Sequence, residues 1–111
     1  MDGTETQRAD GRRKYLEQTK KLTLDFMRGE PAKIYLFGSW ARGEERHGSD
    51  IDLAVAYEGK SNRLKVGELA EMLEESTVPY NVDVVDLAYA DEAIRRAVER
   101  EGILWQSPTS D

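Results

Sequence analysis

The eight residues Asp50-Ile51-Asp52-Leu53-Ala54-Val55-Ala56-Tyr57 restrict the possible folds more than any other stretch of this chain. From Ile51 onward, large apolar residues alternate with acidic or small ones, which is the period-two pattern of a β-strand. Ile51, Leu53, Val55 and Tyr57 fall on one face. Asp52, Ala54 and Ala56 fall on the other, with Asp50 just ahead of them. A strand buried on both faces carries bulk on both. Here the second face is acidic at one end and small beyond it, so it leaves room for a ligand.

The flanking segments supply the rest of a small sheet and its cover. Tyr15, Thr19, Leu22 and Phe26 recur at helical spacing, and Gly29 with Pro31 ends that helix. Ile34-Tyr35-Leu36-Phe37 is a short β-rich run stopping at Gly38. Gly59 to Asn62 reads as a turn, with Ser61 or Asn62 capping the next helix, whose stripe is Val66, Leu69, Ala70 and Leu73. Asn81 to Leu87 predicts a third strand. Asp91 opens a last helix, with Ile94, Ala97 and Val98 inward and Gly102 at its end. Ile103-Leu104-Trp105 is too short to assign, and residues 1–8 and 106–111 read as frayed polar tails.

Only about a dozen residues join the first two strands, too few for a parallel crossover through a full helix. The expectation is therefore a single domain over residues 1–111 of the α/β (α+β) class. It would hold a small mixed β-sheet with helices packed mainly on one face and a site on the other.

Composition narrows the function. The 22 acidic and 16 basic residues leave a net charge of −6, which argues against a module that binds nucleic acid through bulk electrostatics. A small anionic substrate held by a metal ion and a few arginines remains compatible with that charge. With no cysteines, disulfides, zinc–thiolate sites and a cysteine nucleophile are excluded. No apolar run reaches the length of a signal peptide or a membrane span, so the expected setting is soluble and cytoplasmic, without membrane contact.

Gly38-Ser39, ten residues, then Asp50-x-Asp52 is a spacing suited to a metal-bound triphosphate. The Gly-Ser pair lets backbone N–H groups approach phosphate oxygens with no Cβ in the way. Asp50 and Asp52 point to one face of a strand, and paired carboxylates suit Mg²⁺, which shares its coordination sphere with phosphates. Asp83, within Val82-Asp83-Val84-Val85, is costly to bury unless it is paired or binds a cation. Beside the Asp50/Asp52 strand it would complete a three-carboxylate centre able to hold two Mg²⁺ ions about 4 Å apart, clamping an in-line displacement at phosphorus. Asp86 faces the other way, where a capping role costs less.

Gly38-Ser39, Ala41-Arg42-Gly43, Ser49-Asp50-Ile51-Asp52-Leu53 and the acidic third strand, in that order over residues 34–87, resemble the minimal nucleotidyltransferases of the DNA polymerase beta-like superfamily. The resemblance implies their fold. By position, it implies that Gly38 and Ser39 hold the β- and γ-phosphates and that Asp50 and Asp52 bind both Mg²⁺ ions. It gives Asp83 the catalytic metal and activation of the acceptor hydroxyl, and it sets Arg42 facing phosphate. It further implies transfer of AMP from ATP. Such proteins are paired with all-helical HEPN proteins and, as antitoxins, adenylylate a tyrosine of the HEPN toxin. The expected assembly is thus a hetero-complex with a HEPN protein. Because the core takes up most of 111 residues, the acceptor is expected from that partner or from a second copy of this chain.

Other readings compete with these. Asp50 and Asp52 as solvated carboxylates at a strand entry leave the Gly-Ser spacing unexplained, while Asp83 could face water on an edge strand. Arg42 and Arg46 could be ordinary surface residues, Trp40 is better placed to pack under its loop than to stack on a base, and His47 is expected to be exposed. An EF-hand fails because Ala54 and Val55 stand where an oxygen ligand and a glycine are needed. A Ser39/His47/Asp50 triad lacks a nucleophile elbow, and no P-loop is present. Two functional alternatives stay open: an antitoxin that masks its partner without catalysis, and the catalytic subunit of an antibiotic-type small-molecule nucleotidyltransferase.

Overall fold

A computed structural model describes residues 3–108. Its elements run α1 (Gly3–Phe26), β1 (Ala32–Phe37), α2 (Ser39–Arg42), β2 (Ile51–Tyr57), α3 (Arg63–Glu74), β3 (Val82–Asp86), a 3-10 turn at Leu87–Tyr89, α4 (Glu92–Glu101) and β4 (Ile103–Gln106). The strands form one sheet in the order β3-β2-β1-β4. Antiparallel pairs join β1 to β2 and to β4. β2 and β3 are parallel, with α3 as the crossover that parallel strands require. The sheet is mixed, as the short link between the first two strands predicts.

One face carries the main core. Ile34 and Leu36 of β1 and Ile51, Leu53 and Val55 of β2 pack with Met27, Trp40, Val66, Leu69 and Leu73, while Leu16, Leu22 and Phe26 of α1 close over them. Thr23 and Met27 are as buried as the predicted Thr19, so the inward stripe of α1 extends further than its large apolar residues suggest. Thr19 fits there because its Oγ1 donates to the Tyr15 carbonyl at 2.8 Å.

The second face is less open than the sequence suggests. Phe37, Ala54 and Val98 form a smaller cluster there with Tyr35, Val85, Ile94 and Ala97, so α4 lies across it. Ala54 leaves the space that α4 fills. Asp52 and Asp83 are left at the end of this face next to Phe37.

Local chemistry sets the remaining boundaries. Asn62 caps α3 by accepting from the Lys65 N–H, and Asp91 caps α4 by accepting from the Ile94 N–H. Ile103-Leu104-Trp105, unassigned above, forms most of β4, where pairing with β1 decides what local pattern could not. Of the polar tails, residues 1–2 and 109–111 lie outside the described residues. Within them α1 begins at Gly3 and Gln106 ends β4. No helix among the described residues is long and apolar enough to cross a membrane.

Candidate active site

β1 ends at Phe37, and the chain turns through Gly38 into the single turn of α2. Gly38 has φ +81°. Its Cα lies so close to Asp52 that a Cβ there would run into the Asp52 Oδ2. Only glycine provides both that backbone angle and that clearance. Register therefore stacks the two halves of the motif, with Phe37 opposite Asp52 and Gly38 immediately after it.

Asp52 in turn lies opposite Asp83 in the parallel ladder. Neighbouring strands are about 4.8 Å apart, so two side chains in register on one face are close neighbours. Asp52 is half-buried, while Asp83 and Asp50 are exposed. Burial pushes the Asp52 carboxyl up to about 6, with the charges of Asp83 and then Asp50 acting in the same direction and Arg42 opposing them. Asp86 faces the main core side, accepts from the Ala88 N–H and the Ser61 hydroxyl, and caps the 3-10 turn. That is the role the sequence assigns it.

The loop between the motif halves is tied at both ends. Trp40 is buried, its Nε1–H donates to the Ser49 carbonyl at 3.2 Å, and its ring stands edge-on to Tyr80 at 5.0 Å. It packs under the loop, as expected, while His47 is exposed.

Arg42 is aimed at carboxylates of this chain. Its Nε–H donates to Glu44 and its Nη1–H to Glu101, both at 2.9 Å. Glu101 also accepts from the Gly38 N–H at 2.9 Å. Sequence reasoning gave Glu101 no role. The available signal was an acidic residue in the last turn of a helix, where the macrodipole disfavours it.

A divalent cation suits this donor set chemically: the carboxylate oxygens are hard donors, and beyond burial the charges of Asp83 and Asp50 act against ionisation of Asp52, a repulsion that a cation would relieve. Among the described residues, no three acidic or histidine side chains yet converge closely enough to hold a metal ion. Volume does not mark the site, since a cavity of about 580 Å³ lies elsewhere, between the end of α1 and β4, lined by Leu24, Glu30, Trp105 and Gln106.

Residues 17–108 match the family described as "Polymerase beta, Nucleotidyltransferase". The chain belongs to the polymerase beta nucleotidyltransferases. This nucleotidyltransferase is 37% identical over 79 residues to the protein adenylyltransferase MntA of Shewanella oneidensis, an alignment covering 70% of the chain and 56% of MntA. It thus spans little more than half of that relative. Among solved structures, it is similar to a chain of a toxin–antitoxin complex crystallised with AMP-PNP, with TM-score 0.66 and 29% identity, covering 83% of this chain and 76% of the other. It is also similar to a chain of the complex between a tri-AMPylated S. oneidensis HEPN toxin and its MNT antitoxin, with TM-score 0.60 and 28% identity, covering 82% and 71%.

Proposed function

We propose that this nucleotidyltransferase transfers AMP from ATP to a tyrosine hydroxyl of a HEPN-family partner and thereby acts as its antitoxin. The observation that carries the chemistry is the register of Asp52 against Asp83, with Gly38 directly over Asp52. The partner and acceptor are supported by the relatives, one of them solved as an antitoxin with an AMPylated HEPN toxin.

In this reading Asp50, Asp52 and Asp83 would be the residues that hold two Mg²⁺ ions. When bound, the ions neutralise triphosphate charge and lower the pKa of the acceptor hydroxyl. The Gly38 N–H, Ser39 and the Arg42 fork bind and orient the β- and γ-phosphates. Asp83 takes the proton as the acceptor oxygen attacks the α-phosphorus. The new O–P bond forms as the bond to the β-phosphate breaks, and pyrophosphate leaves. Rate comes mainly from positioning and charge stabilisation. The proposed use of ATP as donor supports a cytoplasmic setting.

The test is incubation with labelled ATP, Mg²⁺ and the HEPN partner, in parallel with an Asp50→Asn/Asp52→Asn variant. Label on the partner that disappears in the variant supports the proposal. Neutralisation of the partner by the variant, with no label transferred by either protein, would replace catalysis with masking.

A further inference from the structure

Glu101 ends α4, and only Gly102 separates it from β4. The β1–β4 ladder pairs Tyr35 with Leu104 and Leu36 with Ile103. Continued past the sheet, the same register brings Glu101 opposite Gly38. There its Oε2 accepts from two donors at once, the Gly38 N–H and the Arg42 Nη1–H, each at 2.9 Å. Oε1 lies 3.8 Å from Arg100 Nη2, and the side chain is only 11% exposed. The carboxylate is well seated and nearly enclosed.

Those two donors are the ones the proposed function assigns to triphosphate oxygens. A carboxylate and a phosphate oxygen make the same charge-assisted hydrogen bonds and cannot share them at full strength. Nor is this an economical place for a permanent brace. Glu101 adds negative charge to a site that already holds Asp50, Asp52 and Asp83, and it stands at the end of a helix that disfavours anions. A neutral glutamine could accept the Gly38 hydrogen bond without either cost.

We propose that Glu101 is a built-in competitor for the nucleoside triphosphate, holding the Gly38 N–H and Arg42 until substrate phosphate displaces it. The proposal rests on reading the site as a triphosphate site. Without substrate, the Glu101 carboxylate keeps the donors ordered and satisfied. Binding then requires Glu101 to leave, so the apparent affinity is the intrinsic affinity reduced by the fraction of molecules in which the donors are free. Because only Gly102 separates Glu101 from β4, its release is felt first at that junction.

The experiment measures the dissociation constant for Mg²⁺·AMP-PNP by calorimetry on the full chain, for wild type, Glu101→Gln, Glu101→Ala and Glu99→Gln. Glu99→Gln removes the same charge from the same helix but from a residue outside the donor pair. The backbone amide resonance of Gly38 is followed alongside. Displacement predicts tighter binding by about fivefold or more in both Glu101 variants, little change in Glu99→Gln, and a moved Gly38 resonance in nucleotide-free Glu101→Gln. Unchanged or weaker binding in the Glu101 variants overturns the proposal and makes Glu101 a positioning residue for Arg42, with the triphosphate reading intact. Equal tightening in Glu99→Gln also overturns it, as general electrostatics. If neither wild type nor any variant binds the nucleotide, the triphosphate reading fails and takes this proposal with it, and a moved Gly38 resonance would still establish the contact itself.

Discussion

Gly38 lies directly over the Asp52 carboxylate, with its backbone at φ +81° and no space for a Cβ before the Asp52 Oδ2. Gly38→Ala therefore strains the backbone and drives Asp52 from its place. The expected cost is about 1–3 kcal/mol in folding stability. Loss of Mg²⁺·nucleotide binding should exceed what that destabilisation explains. Thermal unfolding and calorimetric titration of the same sample check this, and wild-type affinity in Gly38→Ala would show that the close approach does not matter.

Asp83 separates function from stability. It is exposed, and its charge is the largest electrostatic contribution to the raised Asp52 value after burial. Asp83→Asn removes a repulsion, so the melting temperature should hold or rise slightly. Transfer should nevertheless fall by about 10²-fold or more, as expected on losing a group that accepts the acceptor proton. A single preparation measured by calorimetry and by label transfer decides it. An active Asp83→Asn would remove Asp83 from the chemistry.

The Asp52 carboxyl gives a pH dependence with a defined sign. Its folded-state value, about 6, lies above the ordinary 3.8, so the folded protein binds the proton more tightly than the unfolded chain. This contribution is complete below about pH 4 and is lost as pH rises to about 6. Allowing for solvent screening of a half-buried group, it amounts to ~1–2 kcal/mol. Urea unfolding at pH 4, 5, 6 and 7, taken as the difference between wild type and Asp52→Asn, should show wild type losing stability across that interval relative to the variant. A flat difference would mean that Asp52 titrates normally.

Local pattern was enough for β2 and the Asn62 and Asp91 caps, because each depends on alternation or on side chains a few residues apart. The register that sets Asp52 beside Asp83 was expected only as a neighbourhood. Its alignment arises from packing of α3, which no local signal encodes. β4 escaped assignment because Ile103 to Gln106 is stabilised by β1 from across the chain. Cover of the second face by α4 was missed for a related reason: Ala54 reads equally well as space for a ligand and as space for a helix. Glu101 was invisible as a site residue because its partners Gly38 and Arg42 are some sixty residues away in sequence.

Trp40 fixes the distance between the two halves of the motif. It follows Ser39 directly, and its indole N–H holds the carbonyl of Ser49, the residue before Asp50. Its ring is held in turn by the edge contact with Tyr80. Trp40→Phe keeps most of the buried ring but drops the hydrogen bond, so about 1 kcal/mol of stability should be lost. Trp40→Ala should cost about 3–5 kcal/mol by leaving a cavity under the loop. The informative comparison is Trp40→Phe, which stays folded while the loop from Gly43 to Ser49 loses its anchor. Amide exchange in that loop should speed up, and affinity for Mg²⁺·AMP-PNP should weaken several-fold, because the Gly38-Ser39 turn and Asp50 no longer share a rigid tie. Faster exchange with unchanged affinity would mean that β1 and β2 alone hold the two halves in place, and Trp40 would then be a core residue and nothing more.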